Sequence, residues 1–429
     1  MIKHAQQAAV TADASAPAVS SAAAEAHIAP APRISLQAFC ETVESAAAVQ
    51  AAGEDRRLGK AHVKIQMGGI GAAIEAFRNS PTPNVILIEM DARATDILGG
   101  LDQLAEHCDA ATRVIVMGRV NDVLLYRELT RRGVSEYLMT PVSTIDVVRA
   151  VCHLFSAPDA KPVGRIVAVV GAKGGVGAST VAHNVAWAIG RDLTIESVVA
   201  DLDLPFGTAG LDYNQDPPQG IADAVFSPDR VDTAFVDRLL SKCTDHLSLL
   251  AAPATLDRVY DFGTEAFDSI FDTLRTTMPC IVLDVPHQWS GWTRRALIAA
   301  DDILVVAAPD LANLRNTKNL VDLLRAARPN DNRPQYCLNQ VGVPKRPEIK
   351  PADFAKALEF DPIAIIPFEP QLFGTAANNG QMIAEVSSGH RATETFRSLA
   401  QSLTGRAEVK RARSGLLTPL IEKLRRRQA

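Results

Sequence analysis

The sequence predicts an α/β protein built from two doubly wound parallel sheets, and three observations carry that reading. Short apolar runs alternate with helically spaced segments along nearly the whole chain. The runs in the second half are apolar throughout, as strands covered on both faces must be. The alternation breaks once, at "SAPDAKPVG" (156–164), where two prolines mark a connection.

The elements follow in order. Residues 1–32 are rich in Ala, Ser and Pro, lack the leucine-type core of a secretory signal and read as a disordered tail. From Arg33 to residue 155, five strand candidates recur: "RISLQAF", "HVKIQMG", "NVILIEMD", "RVIVMG" and "SEYLMTP". Between the second and third lies "IGAAIEAFRNS", where Ile70, Ile74 and Phe77 stand at steps of four and three, the spacing of one helix face. After a linker at 156–163, a larger domain spans 164–405, with strand candidates at 165–172, 197–203, 247–253, 280–286, 302–309, 336–341 and 363–368. Residues 406–429 form a basic amphipathic tail.

Bulk properties narrow the function classes. A chain of 429 residues with 47% hydrophobic content is long enough for two or three domains. A net charge of −5 gives no global attraction to nucleic acid. The six cysteines are scattered singly, without a C-x-x-C pair or a histidine cluster, which points to free thiols in a reducing cytosol. Apolar runs such as "ILVVAAP" fall short of the ~18–20 residues that cross a bilayer.

The β-α order of 33–155, ending "YLMTPVS", resembles the receiver domain of two-component regulators, a flavodoxin-like fold. That family carries an acidic pair, a phosphate-accepting Asp, a Ser or Thr and a Lys. At those positions this chain has Ala38 and Phe39, Glu89, Gly118 and Thr140, and keeps only Pro141. Magnesium needs hard oxygen ligands, which Ala and Phe lack, so phosphorylation by the usual route is not expected. Glu89 admits two readings, a phosphoaspartate mimic or a polar cap on a strand end. "GGIGAA" (68–73) lacks the third glycine of a dinucleotide loop and reads as helix–strand packing.

The chemistry concentrates at "VVGAKGGVGAST" (169–180), which follows an apolar strand and precedes the helical "VAHNVAWAIG". Strand, glycine-rich loop and helix together make a P-loop. Gly174, Gly175, Val176 and Gly177 let main-chain amides turn around phosphate, and the helix N-terminus adds its positive end. Ser179 is placed to ligate Mg²⁺, Thr180 lies toward the α-phosphate, and Ala178 stands where a lysine is usual. A hydrogen bond to a charged group contributes about 1.5–3 kcal/mol, so the missing lysine weakens ATP affinity by about one to two decades.

Lys173, ahead of the double glycine, gives the resemblance to the deviant Walker A ATPases of the ParA/MinD superfamily, which extends over 164–405. The resemblance implies a P-loop NTPase fold and an ATP-dependent homodimer, with Lys173 reaching the partner's nucleotide. It implies that Asp203 of "DLDLPFG" orients the attacking water and that Asp201 holds magnesium-bound water. Asp284 of "IVLDVP" becomes the Walker B acid, Asn339 of "CLNQVG" the adenine reader, and Pro367 of "IPFEP" part of the loop closing over the base. With Ala178 in place of lysine, the expected activity is ATP-Mg binding with slow, dimer-dependent hydrolysis.

A degenerate receiver ahead of such an ATPase, with "GGVGASTVAHNVAWAI" and "APDLANLRNTKNL", resembles the CpaE/TadZ family of Flp/Tad type IVb pilus assembly proteins. This resemblance implies a cytoplasmic localisation factor at the cell pole that recruits pilus assembly and secretion machinery. The competing reading is a ParA/MinD-type ATPase that positions DNA or the division site, with Arg294, Arg295, Arg315 and Lys318 as its basic patch; DNA is the less expected partner. Electron transfer by iron-protein relatives needs cysteines after Walker B, and "HQWSGWTRRALIAAD" has none. In the tail, Leu416, Leu417, Leu420, Ile421 and Leu424 share a helical face opposite Lys423, Arg425 and Arg426, which suits an anionic membrane surface or a protein surface for 414–429.

Overall fold

The computed structural model describes residues 28–90, 94–156, 163–256 and 258–405. The first sheet is built from β1 (Ile34–Cys40), β2 (Ala61–Met67), β3 (Val85–Met90), β4 (Arg113–Gly118) and β5 (Glu136–Met139). They alternate with α1 (Val43–Gly53), α2 (Gly69–Phe77), α3 (Ala94–Ala105), α4 (Val123–Arg131) and α5 (Thr144–Leu154). The strand order is β2-β1-β3-β4-β5, all parallel. Helices α1 and α5 cover one face over Leu36, Ala38 and Leu87; α2, α3 and α4 cover the other over Phe39, Ile86 and Ile88. Helix starts carry their own signals: Asp122 caps α4, and Ser143 with Asp146 forms a capping box on α5.

The first core takes in residues ahead of Arg33. Ile28 packs on the first core, and Ala31 is buried with its N–H donating to the Arg57 carbonyl at 2.9 Å. Glu89, at the end of β3, resolves between its two readings as the cap. Its Oε2 accepts from the N–H groups of Glu41 (2.8 Å) and Thr42 (2.9 Å), and its Oε1 from the hydroxyls of Thr42 (2.7 Å) and Ser45 (2.7 Å). Burial alone would raise its pKa, but these bonds outweigh it and hold the carboxyl below the usual range.

The larger sheet contains β6 (Arg165–Gly171), β7 (Ser197–Asp201), β8 (Ser241–Lys242), β9 (Leu247–Leu250), β10 (Cys280–Val285), β11 (Asp302–Ala307), β12 (Gln335–Val341) and β13 (Ala364–Pro367). Its helices are α6 (Ala178–Arg191), α7 (Ala209–Asp212), α8 (Ile221–Val225), α9 (Thr233–Leu239), α10 (Asp268–Thr277) and α11 (Gly291–Ala299). They continue with α12 (Leu311–Ala327), α13 (Pro351–Leu358), α14 (Pro370–Asn379), α15 (Ile383–Val386) and α16 (Arg391–Leu403). Strand order is β13-β12-β11-β6-β10-β7-β9-β8. The sheet is not wholly parallel as expected: β8 pairs antiparallel with β9. Two residues carry no periodicity for a sequence reading to detect. On β6 the faces alternate, Ile166, Ala168 and Val170 joining one core layer and Val167 and Val169 the other.

The two sheets meet through a buried charged network. Arg56 in the turn before β2 bonds Asp331 (2.7 Å) and Asp301 (3.1 Å), and Arg57 pairs with Asp55 (3.0 Å) and with Asp331. Arg328 and Arg275 approach the same acids at 2.8 Å each. Asp301 also accepts the Ile166 N–H at 2.8 Å, which ties this contact to the first residues of β6. The amphipathic segment 414–429 and the linker core 157–162 lie outside the described residues.

Candidate functional site

β6 stands inside the larger sheet between β11 and β10, and the chain leaves it through residues 172–177 into α6. This crevice at strand C-termini is where open α/β sheets bind ligands. Gly175 (φ 78°) and Gly177 (φ 81°) adopt the left-handed region, which favours glycine. A side chain added at Gly174 or Gly175 would meet nothing within 4 Å, so open space lies before the loop.

The loop's carbonyls are held from behind. His287 Nδ1 lies 2.9 Å from the Gly171 carbonyl, which assigns the proton to that nitrogen, and Asn316 donates to Ala172 at 2.8 Å. Asn339 donates to the Val176 carbonyl at 2.8 Å and Gln340 to the Gly175 carbonyl at 3.0 Å. Among the described residues, the main-chain N–H groups of 173–180 find no acceptor. A ring of unpaired donors at a helix N-terminus is the arrangement that receives an anion.

Asn339, read from the sequence as an adenine reader, is bonded to the loop through its amide, and its Oδ1 accepts the Gln340 N–H at 2.9 Å. Pro367, opposite Val341 at the end of β13, lies half-buried beside it. Lys173 is exposed and, among the described residues, has no ion-pair partner. Ala178, Ser179 and Thr180 form the half-buried first turn of α6.

The acids are brought together by sheet register. Asp284 on β10 is paired with Asp201 on β7, so two carboxylates lie side by side, both buried. Asp201 accepts the N–H groups of Asp203 and Ala209, each at 3.1 Å. Its pKa is raised, by burial first and then by Asp284. Asp203 is raised by burial while its bond from the Phe206 N–H (3.2 Å) works the other way.

Sequence reasoning missed His183. It is fully buried on α6, with Nδ1 2.7 Å from Asp212 Oδ2 and Nε2 3.3 Å from Asp284 Oδ2. Burial would lower its pKa, but the two carboxylates raise it to about 10. The Nε2–Asp284 contact is an ion pair without hydrogen-bond alignment. Nothing in "VAHNVAWAIG" announces this, since the partners come from two other strand–helix connections.

Of the expected basic residues, Arg295 is bonded to Asp268 at 2.5 Å and Lys318 is paired with Asp322 at 3.3 Å. Phe206, Trp289 and Leu311, following β7, β10 and β11, are 71%, 54% and 73% exposed on the same end of the sheet as the loop.

Comparison with known proteins gives a consistent setting. A protein-family profile described as an AAA domain matches residues 164–334. The pilus assembly protein CpaE from Caulobacter crescentus is 43% identical over 30% of this chain and 100% of its own, with a TM-score of 0.30. The septum site-determining protein MinD of Synechocystis is 27% identical over 163 residues, 38% of this chain and 60% of that protein. This chain thus spans about 60% of the length of that curated relative. The structure of MinD complexed with Mg-ADP from Pyrococcus horikoshii covers 56% of this chain and 96% of its own, at 19% identity and a TM-score of 0.50, a likeness of fold. No described helix is long and apolar enough to cross a membrane.

Proposed function

The chain belongs to the CpaE family of pilus assembly proteins, as the identity over the whole of the Caulobacter protein carries, and from this we propose that it is an ATP-binding, dimerising assembly factor for a Flp/Tad-type pilus. ATP sets its assembly state, and hydrolysis is slow. The observation that carries the reading is the loop at 172–177: the carbonyls of 171, 172, 175 and 176 are bonded by neighbouring side chains, the amides of 173–180 have no acceptor among the described residues, and open space lies at Gly174 and Gly175, beside a buried acid pair. Those features fit a magnesium–nucleotide: unpaired amides suit phosphate, and Asp201 and Asp284 offer the hard oxygens magnesium takes.

In this reading the amides of Gly174, Val176, Gly177 and Ala178 cradle phosphate, Ser179 faces the metal, and Asp201 and Asp284 hold water on it. Bound magnesium neutralises charge on the phosphates. Lys173, without an ion-pair partner among the described residues, serves the nucleotide of a second copy, and Asp203 orients water. The exposed Phe206, Trp289 and Leu311 on this face support association with that copy. Asn339, bonded to the loop, reads the adenine, and Pro367 borders the base. The receiver-like sheet, its acid pocket filled by Glu89, serves protein recognition at the pole, and the tail 414–429 serves a membrane or protein surface. Positioning of DNA or of the division site, the second reading, is supported by the likeness to MinD.

Isothermal titration with ATP-Mg tests the reading directly, with subunit mass measured with and without nucleotide. Lys173→Ala is expected to abolish turnover and spare most of the affinity. A monomer that hydrolyses ATP briskly refutes the scheme, and ATP-gated DNA binding with a steep salt dependence favours the second reading.

A further inference from the structure

His183 follows Ser179 by one helical turn on α6, so the two side chains leave the same face of the helix. Ser179 lies at the half-buried opening; His183 is sealed beneath it. The imidazole has one orientation. Nδ1 is on Asp212 at 2.7 Å, the Tyr213 ring lies 5.6 Å away and packs on Trp187, and the Tyr213 hydroxyl donates to the His183 carbonyl at 2.7 Å.

These contacts close a ring. Asp284 meets His183, His183 meets Asp212 at the end of α7, α7 begins at Ala209 whose N–H is bonded to Asp201, and Asp201 is ladder-paired back to Asp284. Asp284 and α7 therefore share one imidazole as their polar side-chain link to α6 among the described residues, beside the apolar packing of α6 on Ala209. Three carboxylates converge around this one imidazole.

We propose that His183 is a positioning residue of the magnesium–nucleotide site, tying Asp284 to α7 so that the acid facing the metal and the segment 201–212 are held as one unit. The inference rests on the nucleotide reading above for its functional consequence, and on the ring of contacts alone for the tie itself. Displacement of Asp284 is then felt at Asp212, and displacement of α7 at Asp284. Nothing in the ring requires His183 to touch nucleotide.

The test uses the full chain and a fluorescent ATP analogue, titrated with magnesium and in EDTA, for wild type, His183→Gln, Asp212→Asn and the double variant. Asp212 is partly exposed, so its variant keeps the fold where a buried change at 183 fails to. Without magnesium, affinity is expected to stay within about twofold. The magnesium concentration for half-maximal binding is expected to rise about five- to tenfold in each single variant and no further in the double, as for groups in one network. Equal losses with and without magnesium, or additive shifts in the double, overturn the proposal.

A second arm needs no nucleotide. In ¹⁵N spectra of the ligand-free protein, Asp212→Asn is expected to move the His183 imidazole resonances, and unmoved resonances overturn the tie. One transition-metal ion per chain, retained by wild type after dialysis and lost in His183→Gln, also overturns it, because the imidazole is then a ligand. Absence of nucleotide uptake by wild type sinks the nucleotide reading instead, and the spectra still decide the tie.

Discussion

Three glycines in one loop should respond to alanine in a graded way that the structure dictates. Gly174 is outside the left-handed region and a methyl there meets nothing within 4 Å. Gly175 has equally open surroundings but φ 78°. Gly177 combines φ 81° with a methyl position 2.6 Å from Asn339 Nδ2. Forcing an L-residue into the left-handed region costs about 1–2 kcal/mol. At Gly177 the methyl also pushes Asn339 off the Val176 carbonyl, and losing that bond costs a further ~0.5–1.5 kcal/mol, more if the carbonyl is left buried and unpaired.

Gly174→Ala is therefore expected to bind a fluorescent ATP analogue within about twofold of wild type, Gly175→Ala about five- to thirtyfold more weakly, and Gly177→Ala about ten- to several-hundredfold more weakly. The thermal midpoint should fall in the same order, a readout independent of nucleotide. Equal effects at Gly174 and Gly177, or wild-type behaviour of Gly177→Ala, refute the reasoning.

Arg56→Ala takes one cation out of a buried network in which Asp301 keeps Arg275 and Asp331 keeps Arg57 and Arg328, so the loss is expected to fall below the ~3–5 kcal/mol of breaking an isolated buried pair. Differential scanning calorimetry should show the loss, and limited proteolysis should release the two sheets from one another; an unchanged scan argues that the network adds nothing. Glu89 has its pKa held down in the folded chain, so its stabilisation is present above its unfolded pKa of about 4.3 and is lost as pH falls through the lower folded value. The gap in thermal midpoint between wild type and Glu89→Gln should thus be widest near neutral pH and close on acidification, and a gap that widens in acid contradicts the hydrogen-bonded carboxylate.

Much of this was legible in the residues themselves. The continuous apolar stretches at 85–90 and 165–171 mark strands because a strand covered on both faces is apolar nearly throughout. The spacing of Gly174, Gly175 and Gly177 marks the loop because only glycine enters its left-handed turns cheaply. Strand β8 left no such mark, being two residues long. Glu89 left an ambiguous one, since a carboxylate at a strand end looks the same in sequence whether it mimics phosphate or caps a helix.

What the sequence by itself determined, then, is everything carried by short-range pattern: two runs of alternating strands and helices, a phosphate-type loop, and acids at strand ends. The tertiary structure alone decided which of those residues meet. Arg56 finds Asp331 across 275 positions, Asn339 reaches the loop across 163, and His183 comes to lie between Asp212 and Asp284. The physical reason is that such meetings depend on strand order and register, which the chain settles by packing two core layers on each sheet, and no local period encodes the outcome.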